Sequence, residues 1–114
     1  MRIVAGRWAG RDLTSPGGRT RPTAEEVRDA ALGWVEPHLK GARVLDLCAG
    51  TGALGLEALS RGAESVDFVE RDRSAMHALK ANVARFRVKK QTRIFTHDVV
   101  DFLSHPALES YDVA

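Results

Sequence analysis

Three acidic residues and a glycine-rich turn are the parts of this sequence that could bind a ligand. Asp46 lies in one apolar run, Glu70 ends a second and Asp98 follows a third. After the first run the chain turns through Ala49, Gly50, Thr51 and Gly52. Glycine lets the backbone bend and approach a ligand closely, and N–H groups at the start of the next helix favour a carboxylate or phosphate. The pattern predicts a nucleotide-type ligand whose hydroxyl and amino groups are held by the acids.

Strands and helices alternate around these residues. Apolar runs predict strands at Arg43 to Leu47, Ser65 to Glu70 and Thr92 to Thr96, and Tyr111 to Ala114 has the pattern of a fourth. The alternation predicts an α/β, Rossmann-like fold with a parallel, doubly wound sheet that is incomplete at the C-terminus. In such a sheet the ligand lies at the carboxyl ends of the strands, where the three acids and the turn all fall.

Apolar spacing also predicts which face of each helix is buried. In the helix that Pro37 ends, these residues are Val27, Ala30, Ala31, Trp34 and Val35. In the helix after the turn they are Leu54, Ala58 and Leu59. In the helix that Asp72 caps they are Ala75, Met76, Leu79 and Val83.

Two cofactors fit the turn. The stretch from Gly50 to Gly55 matches the dinucleotide pattern G-x-G-x-x-G, and Glu70 lies near the position of its ribose-binding acid. Asp46 disfavours NAD, because a carboxylate near the strand end would repel the pyrophosphate. S-adenosylmethionine has no phosphate and brings a sulfonium cation and an ammonium group, which suit an acid beside the turn. We therefore favour S-adenosylmethionine, with an NAD-dependent oxidoreductase as the alternative.

Residues 1–19 are predicted to form a basic β-hairpin arm and linker, followed by a cofactor-binding domain at 20–114. Five arginines and one aspartate give residues 1–22 a net charge of +4, which leaves −2 for the remainder. The arginines are Arg2, Arg7, Arg11, Arg19 and Arg21. Because a guanidinium group binds phosphate through two hydrogen bonds, we predict that the arm contacts nucleic acid.

The composition argues against several other kinds of site. The one cysteine, Cys48, excludes an internal disulfide bond and is typical of a cytoplasmic protein. The four histidines have no metal-ligand spacing, and no apolar run is long enough to span a membrane. We therefore predict neither a metal site nor a membrane partner.

Several segments together resemble one known family. They are Met1 to Gly6, Thr20 to Thr23 with Val27 and Arg28, and the long run from Leu45 to Ala63. Over essentially its whole length the chain resembles the bacterial 16S rRNA (guanine-N2)-methyltransferase family (RsmD-like). The long run is specific to that family, whereas the glycine pair alone would match methyltransferases in general.

The resemblance implies an enzyme that uses S-adenosylmethionine to methylate the exocyclic N2 of a guanine in 16S rRNA, either free or in an assembling small ribosomal subunit. By the same resemblance, Glu70 holds the cofactor ribose and Asp98 the adenine. The position of Asp98 in the sequence fits equally well with an N-cap of a helix at Val99 to Leu103. Asp46 and the glycine turn hold the methionine end, and Arg71 is included in the cofactor site.

The sequence departs from the family pattern in three places. Cys48 stands where an aromatic residue is usual, and Gly33 lies in a helix whose sequence differs from the family's. The catalytic tetrapeptide, Asn or Asp followed by Pro-Pro-Tyr or Pro-Pro-Phe, is absent, so catalytic residues are expected beyond Ala114. We expect this fragment to bind S-adenosylmethionine without transferring a methyl group, and its open sheet edge to favour self-association. A non-catalytic RNA-binding module on the same fold is a further alternative.

Overall fold

The computed structural model describes residues 2–13, 22–47, 49–96 and 111–112, and of residues 22–25 the backbone alone. Its centre is a sheet of three strands, which are β1 (Arg43–Leu47), β2 (Ser65–Val69) and β3 (Thr92–Phe95). The strands are parallel and adjacent in the order β1-β2-β3. The predicted strand bounds differ from these by one residue at most. With its helices, the sheet forms the predicted Rossmann-like α/β fold.

In the described ranges, three α-helices connect and flank the strands. They are α1 (Pro22–Val35), α2 (Ala53–Ser60) and α3 (Arg73–Arg85), with single 3₁₀ turns at Glu36–His38 and Lys89–Gln91. Pro37 lies in the first 3₁₀ turn, where α1 has ended as predicted, because proline lacks the N–H that a continuing helix needs. Asp72 caps α3, since its carboxylate accepts a hydrogen bond of 2.9 Å from the Ala75 N–H.

The predicted buried face of α1 is wrong for most of its residues. Val27 is 63% exposed and Trp34 is 89% exposed, and the two alanines between them are exposed as well. The buried residues are Arg28 and Leu32, one helical turn apart, which are 5% and 6% exposed. Arg28 faces inward because its guanidinium group binds a buried carboxylate, and this orientation turns the apolar residues towards solvent.

Helix α2 is buried on both sides. Residues 55–60 are all buried, whereas Leu54, which was expected to face inward, is 42% exposed. One side packs on the sheet so closely that a Cβ on Gly55 would lie 2.4 Å from Cε1 of Phe68. The other side is covered by the N-terminal segment, whose Ile3 is 1% exposed and belongs to the same hydrophobic core.

The N-terminal segment is the predicted hairpin. Arg2 and Asp12 form an antiparallel bridge, and the Ile3 N–H donates to the Arg11 carbonyl at 2.9 Å. Leu13 joins Ile3 in the main core. The described part of the arm is therefore packed against the rest of the fold. The predicted linker and domain boundary lie in residues 14–21, outside the described residues, so the division at residue 19 stays a prediction.

A buried carboxylate, that of Glu57 on α2, joins the hairpin to α1 and α2. Glu57 is 0% exposed, and its Oε1 accepts from the Val4 N–H at 2.8 Å and from Arg28 Nε at 3.1 Å. Its Oε2 accepts from the Ala5 N–H at 2.9 Å and from Arg61 Nε at 3.2 Å. Four donors thus satisfy a charge that would be very costly to bury alone.

The two arginines bound to Glu57 also reach other segments. Arg28 Nη2 donates to the carbonyl of Arg2 in the hairpin. Arg61 pairs with Asp29 on α1 at 2.6 Å and with Glu36 in the 3₁₀ turn at 3.4 Å. The buried charges therefore form one network that links the hairpin, α1, α2 and the segment after α1.

Close backbone contact with Ser60 holds the tip of the hairpin against the end of α2. The Ser60 carbonyl accepts from the Arg7 N–H at 3.0 Å, and its Oγ accepts from the Trp8 N–H at 3.0 Å and donates to the Ala5 carbonyl at 2.7 Å. Gly6 lies between these contacts with φ of +85°, and a Cβ there would lie 2.0 Å from the Ser60 carbonyl oxygen. Only glycine fits this approach.

The chain returns to the outer edge of β1 at Tyr111 and Asp112. The Asp112 N–H donates to the Arg43 carbonyl at 2.8 Å, and its carboxylate accepts from the Arg43 N–H at 2.9 Å. The Tyr111 hydroxyl donates to Asp67 on β2 at 2.5 Å, and Arg93 on β3 pairs with the same carboxylate at 2.7 Å. These two residues belong to the segment for which a fourth strand was predicted. Residues 113–114 lie outside the described residues.

We predict that Gly6→Ala destabilises the fold much more than Gly10→Ala. Both glycines have φ near +85°, so the backbone strain of alanine, about 1–2 kcal/mol, is common to both variants. Nothing lies within 4 Å of a Cβ on Gly10, whereas one on Gly6 meets Ser60. In urea unfolding, we expect the free energy of unfolding to fall by at least about 2 kcal/mol more in Gly6→Ala than in Gly10→Ala, because of the clash and the lost hydrogen bonds. Equal losses in the two variants would contradict the packing of the hairpin on α2.

Candidate functional site

The glycine turn lies at the carboxyl end of β1 and leads into α2. The Ala49 N–H donates to the carbonyl of Val69, at the end of β2, at 2.9 Å. Gly50 and Gly52 have φ of +58° and +86°, which glycine adopts without strain. A Cβ on Gly52 would lie 2.5 Å from Cδ1 of Leu79, but no atom of the described residues lies within 4 Å of a Cβ built on Gly50. The turn is thus closely packed behind Gly52 and open beside Gly50.

Glu70 connects the end of β2 to this turn. Its Oε1 accepts from the Gly50 N–H at 2.7 Å, and its Oε2 accepts from the N–H groups of Arg71 and Asp72 at 2.9 and 2.8 Å. Burial by itself would raise the pKa of Glu70, but the N–H groups of Asp72, Gly50 and Arg71 outweigh it and lower the pKa below its usual value. Glu70 is therefore an ionised acceptor at neutral pH, placed at the ligand edge of the sheet.

Asp46 lies behind the turn in a different environment. It is 5% exposed, and its Oδ2 accepts one hydrogen bond, from the Gly55 N–H at 3.1 Å. Burial raises the pKa of Asp46 to about 7; the Gly55 N–H acts against this rise, and the charge of Glu70 adds to it. A cavity of about 150 Å³ lies beside it, and most of the residues that line it are apolar, among them Leu32, Val44 and Leu54.

Together the two acids and the turn can hold a ligand that carries hydroxyl groups and a positive charge. The carboxylate of Glu70 raises the pKa of Asp46, so the two acids act on each other. A cation at this edge of the sheet would reduce the repulsion between the two carboxylates and favour the ionised form of Asp46. A phosphate group placed there would instead add a further negative charge next to Glu70.

Asn82 on α3 supports the turn and was missed by sequence reasoning. It is 0% exposed, and its Nδ2 donates to the Thr51 carbonyl at 2.9 Å. The predicted inner residues Met76, Leu79 and Val83 are buried as expected, and Asn82 lies among them. A polar residue on an otherwise apolar inner face must find a hydrogen-bond partner, and this is the signal that could have found it.

The remaining predicted site residues divide into two groups. Arg71 is exposed next to Glu70, and Arg2, Arg7 and Arg11 are exposed on the hairpin. Outside the described residues lie Arg19, Arg21 and Asp98, and so does Cys48, which was not predicted to be a site residue. Within the described ranges, no group of three or more His, Cys, Asp or Glu residues could hold a metal ion. No helix in those ranges has the length and apolar character needed to cross a membrane.

We predict that Asp46→Asn becomes more stable relative to the natural chain as pH rises. The pKa of Asp46 is raised from 3.8 to about 7 on folding, so between about pH 4 and pH 7 the unfolded chain ionises this group while the folded chain keeps it protonated, and stability is lost as pH rises. Asparagine cannot ionise and keeps an oxygen for the Gly55 N–H. Between about pH 4 and pH 8, we expect the free energy of unfolding of Asp46→Asn to rise by on the order of 2–4 kcal/mol relative to that of the natural chain, as measured by urea unfolding. The exposed Glu64→Gln variant is the control, and a pH-independent difference for Asp46→Asn would refute the buried, neutral acid.

Comparison with known proteins identifies the relatives of this chain. A family profile described as Conserved hypothetical protein 95 matches residues 1–113. The chain is 39% identical over 107 residues to Ribosomal RNA small subunit methyltransferase D of Escherichia coli K12, covering 91% of this chain and 52% of that protein. It is 37% identical over 110 residues to the protein of the same name from Haemophilus influenzae, covering 93% and 56%. The chain thus spans about half the length of these curated relatives.

The fold is also similar to that of a solved structure. The solved structure of the Escherichia coli protein yhhF matches with a TM-score of 0.81 and 36% sequence identity, covering 92% of this chain and 56% of that one. The family profile covers the hairpin, the glycine turn and both acids of the described site. The chain therefore belongs to the Conserved hypothetical protein 95 family, as its resemblance to the RsmD-like methyltransferases indicated.

Proposed function

We propose that this chain forms the S-adenosylmethionine-binding part of an rRNA methyltransferase. The observation that carries the proposal is the position of Glu70, an ionised carboxylate that meets the glycine turn at the carboxyl ends of two adjacent parallel strands. In open α/β sheets this edge is where ligands bind. The open side of Gly50 gives a ligand room to approach the backbone there.

The donor and acceptor groups fit the parts of S-adenosylmethionine. Glu70 uses three hydrogen bonds in this structure, and an ionised carboxylate offers about four lone-pair sites. One ribose hydroxyl can therefore bind Oε1 directly, and the second can bind if the Gly50 N–H moves away. We assign Asp46 and the turn at residues 49–52 to the methionine end, where the ammonium group would favour the ionised acid. Arg71 stays in the proposed cofactor site, and Asp98 stays the proposed partner of the adenine.

An NAD cofactor fits the same edge less well. Its pyrophosphate would lie at the turn, close to the ionised Glu70 and to Asp46, whose pKa Glu70 already raises. Each added negative charge would increase that repulsion. S-adenosylmethionine brings positive charge to the same place, and we therefore favour it over a dinucleotide.

The proposed reaction is methylation of the exocyclic N2 of a guanine in 16S rRNA, free or in an assembling small subunit. Two relatives are named as small-subunit rRNA methyltransferases, which supports rRNA as the substrate. S-adenosylmethionine supplies an electrophilic methyl group when bound, so the protein mainly has to position the two reactants. In this chain Glu70 and the glycine turn would hold the cofactor in a fixed place. The residues that receive the guanine are expected beyond Ala114, and the protein is expected to act in the cytoplasm.

The hairpin is the proposed contact with rRNA phosphates, through Arg2, Arg7, Arg11, Arg19 and Arg21. The first three of these are exposed side chains on one hairpin. The described part of that hairpin is fixed to α2 through Glu57 and Ser60. An RNA bound by the hairpin would therefore be held in a defined position relative to the cofactor edge.

We predict that Glu70→Ala weakens S-adenosylmethionine binding about 10- to 100-fold in isothermal titration calorimetry. The reason is the loss of hydrogen bonds to a charged group, worth on the order of 1.5–3 kcal/mol. The matched control is Glu64→Ala, which removes an exposed acid just before β2. NAD titrated into the natural chain should bind much more weakly than S-adenosylmethionine.

Because Glu70 also binds the turn, each variant is first compared with the natural chain by thermal unfolding. Glu70→Gln keeps one acceptor oxygen and should fall between the natural chain and Glu70→Ala. If Glu70→Ala is folded and binds S-adenosylmethionine as tightly as the natural chain does, the ribose assignment is wrong. Tighter binding of NAD would replace the methyltransferase proposal by the oxidoreductase.

A further inference from the structure

Two basic segments that are far apart in the sequence meet on one surface. The guanidinium carbon of Arg11, on the hairpin, lies 4.2 Å from the ring centre of Phe86, which follows α3. Arg11 Nη2 also approaches the carbonyl of Arg85, the last residue of α3, at 3.5 Å. The Trp8 and Phe86 rings pack with their centres 5.0 Å apart, and the guanidinium carbon of Arg7 lies 4.3 Å from the Trp8 ring centre.

Two further arginines lie next to these contacts, at the end of α3. Arg85 and Arg87 flank Phe86, and both side chains are exposed. Charge at a helix C-terminus is favourable by itself, so Arg85 alone would need no further role. Arg87 differs, because it is the one non-glycine residue with positive φ in the described part of the chain, at +57°.

The backbone around Arg87 forms a helix-ending turn in which glycine is usual. The Arg87 N–H donates to the Ala84 carbonyl at 3.1 Å, and the Val88 N–H donates to the Val83 carbonyl at 3.2 Å. This is the Schellman pattern, with Arg87 at the left-handed position. A side chain at this position costs about 1–2 kcal/mol that glycine would avoid. Strain kept at one residue is a reason to look for a role of its side chain.

We propose that Arg85 and Arg87 join Arg7 and Arg11 in a single RNA-binding surface, here called the joint basic surface. The inference rests on the proposed function, and extends its RNA contact from the hairpin to the end of α3. The chemistry recognised is the phosphate backbone of RNA, and the four guanidinium groups bind phosphate oxygens.

The arrangement of the arginines suits this ligand. The guanidinium groups of Arg7 and Arg11 lie over aromatic rings, which limits their motion and leaves N–H groups at their edges free to point at phosphates. No acidic residue occurs within residues 7–11 or 85–87. The nearest acid along the hairpin, Asp12, directly follows Arg11, and its backbone pairs with that of Arg2. The surface thus presents four positive charges and no negative charge from its own two segments.

The joint basic surface is also connected to the cofactor edge. Phe86 follows Asn82 by one helical turn, and its N–H donates to the Asn82 carbonyl at 3.0 Å. Asn82 in turn holds the Thr51 carbonyl of the glycine turn. RNA bound at the end of α3 is therefore anchored to the same helix that supports the proposed cofactor site.

The test is the salt dependence of binding to a fluorescently labelled fragment of 16S rRNA, followed by anisotropy over a range of KCl concentrations. Arg87→Gly and Arg85→Gln should each lower the slope of log Kd against log salt by about 1, the loss expected for one phosphate contact. Arg87→Gly relieves the left-handed strain, so its Tm should be equal to or above that of the natural chain. Lys40→Gln, an exposed cation between α1 and β1, should leave the slope unchanged.

The outcomes separate this inference from the proposed function. Arg7→Gln with Arg11→Gln tests the hairpin contact itself and should lower the slope by about 2. If that double variant lowers the slope but Arg85→Gln and Arg87→Gly do not, the joint basic surface is wrong and the hairpin contact stands. If none of these variants changes the slope, the RNA contact of the hairpin fails as well. An equal loss in Lys40→Gln would show a response to net charge alone and would overturn the joint basic surface.

Discussion

The buried carboxylate of Glu57 is the constraint on which the arrangement of this chain depends. It takes donors from the hairpin, from α1 and from the residue that ends α2, and it is completely shielded from solvent. Because an unpaired charge in that position would be very unfavourable, the three segments must come together for the fold to form. Helix α2 is thereby fixed between the hairpin and the sheet. The glycine turn at its N-terminus is positioned by the same packing.

Acidic residues of this fold have different roles because their surroundings differ. Glu57 is neutralised by two guanidinium groups, and Asp67 is held by Arg93 and the Tyr111 hydroxyl, so both are structural. Glu70 is held ionised by backbone N–H groups at the ligand edge. Asp46, buried with a single N–H donor, has a pKa of about 7 and shares the edge with Glu70. One ionised acid and one acid that is ready to ionise form a site that suits a ligand with positive charge.

The sequence was sufficient for the parts of the fold that depend on apolar runs. Such runs predicted the bounds of strands β1 to β3 and their parallel direction. Together with the glycines, they also predicted that Glu70 and the turn lie at the same edge of the sheet. The buried face of α1 could not be predicted in this way, since apolar periodicity does not count an inward-facing arginine such as Arg28. The role of Asn82 could not be predicted either, because its hydrogen-bond partner is a backbone carbonyl far away in the sequence. The close packing of the hairpin on α2 depends on Glu57 and Ser60, two polar residues in a short apolar helix, and their partners become visible only in three dimensions.

We propose that S-adenosylmethionine binds at the carboxyl ends of β1 and β2. The most direct measurement is a titration of the ¹⁵N-labelled chain with S-adenosylhomocysteine, the demethylated product, followed residue by residue through the amide signals in two-dimensional NMR spectra. We expect saturable shifts for residues 49–55 and 70–72, with the Gly50 amide among the largest because its bond to Glu70 must change. The amide signals of the hairpin tip should not shift. Saturable shifts that leave both the turn and Glu70 unchanged, or no shifts at all, would show that the ligand does not bind at this edge.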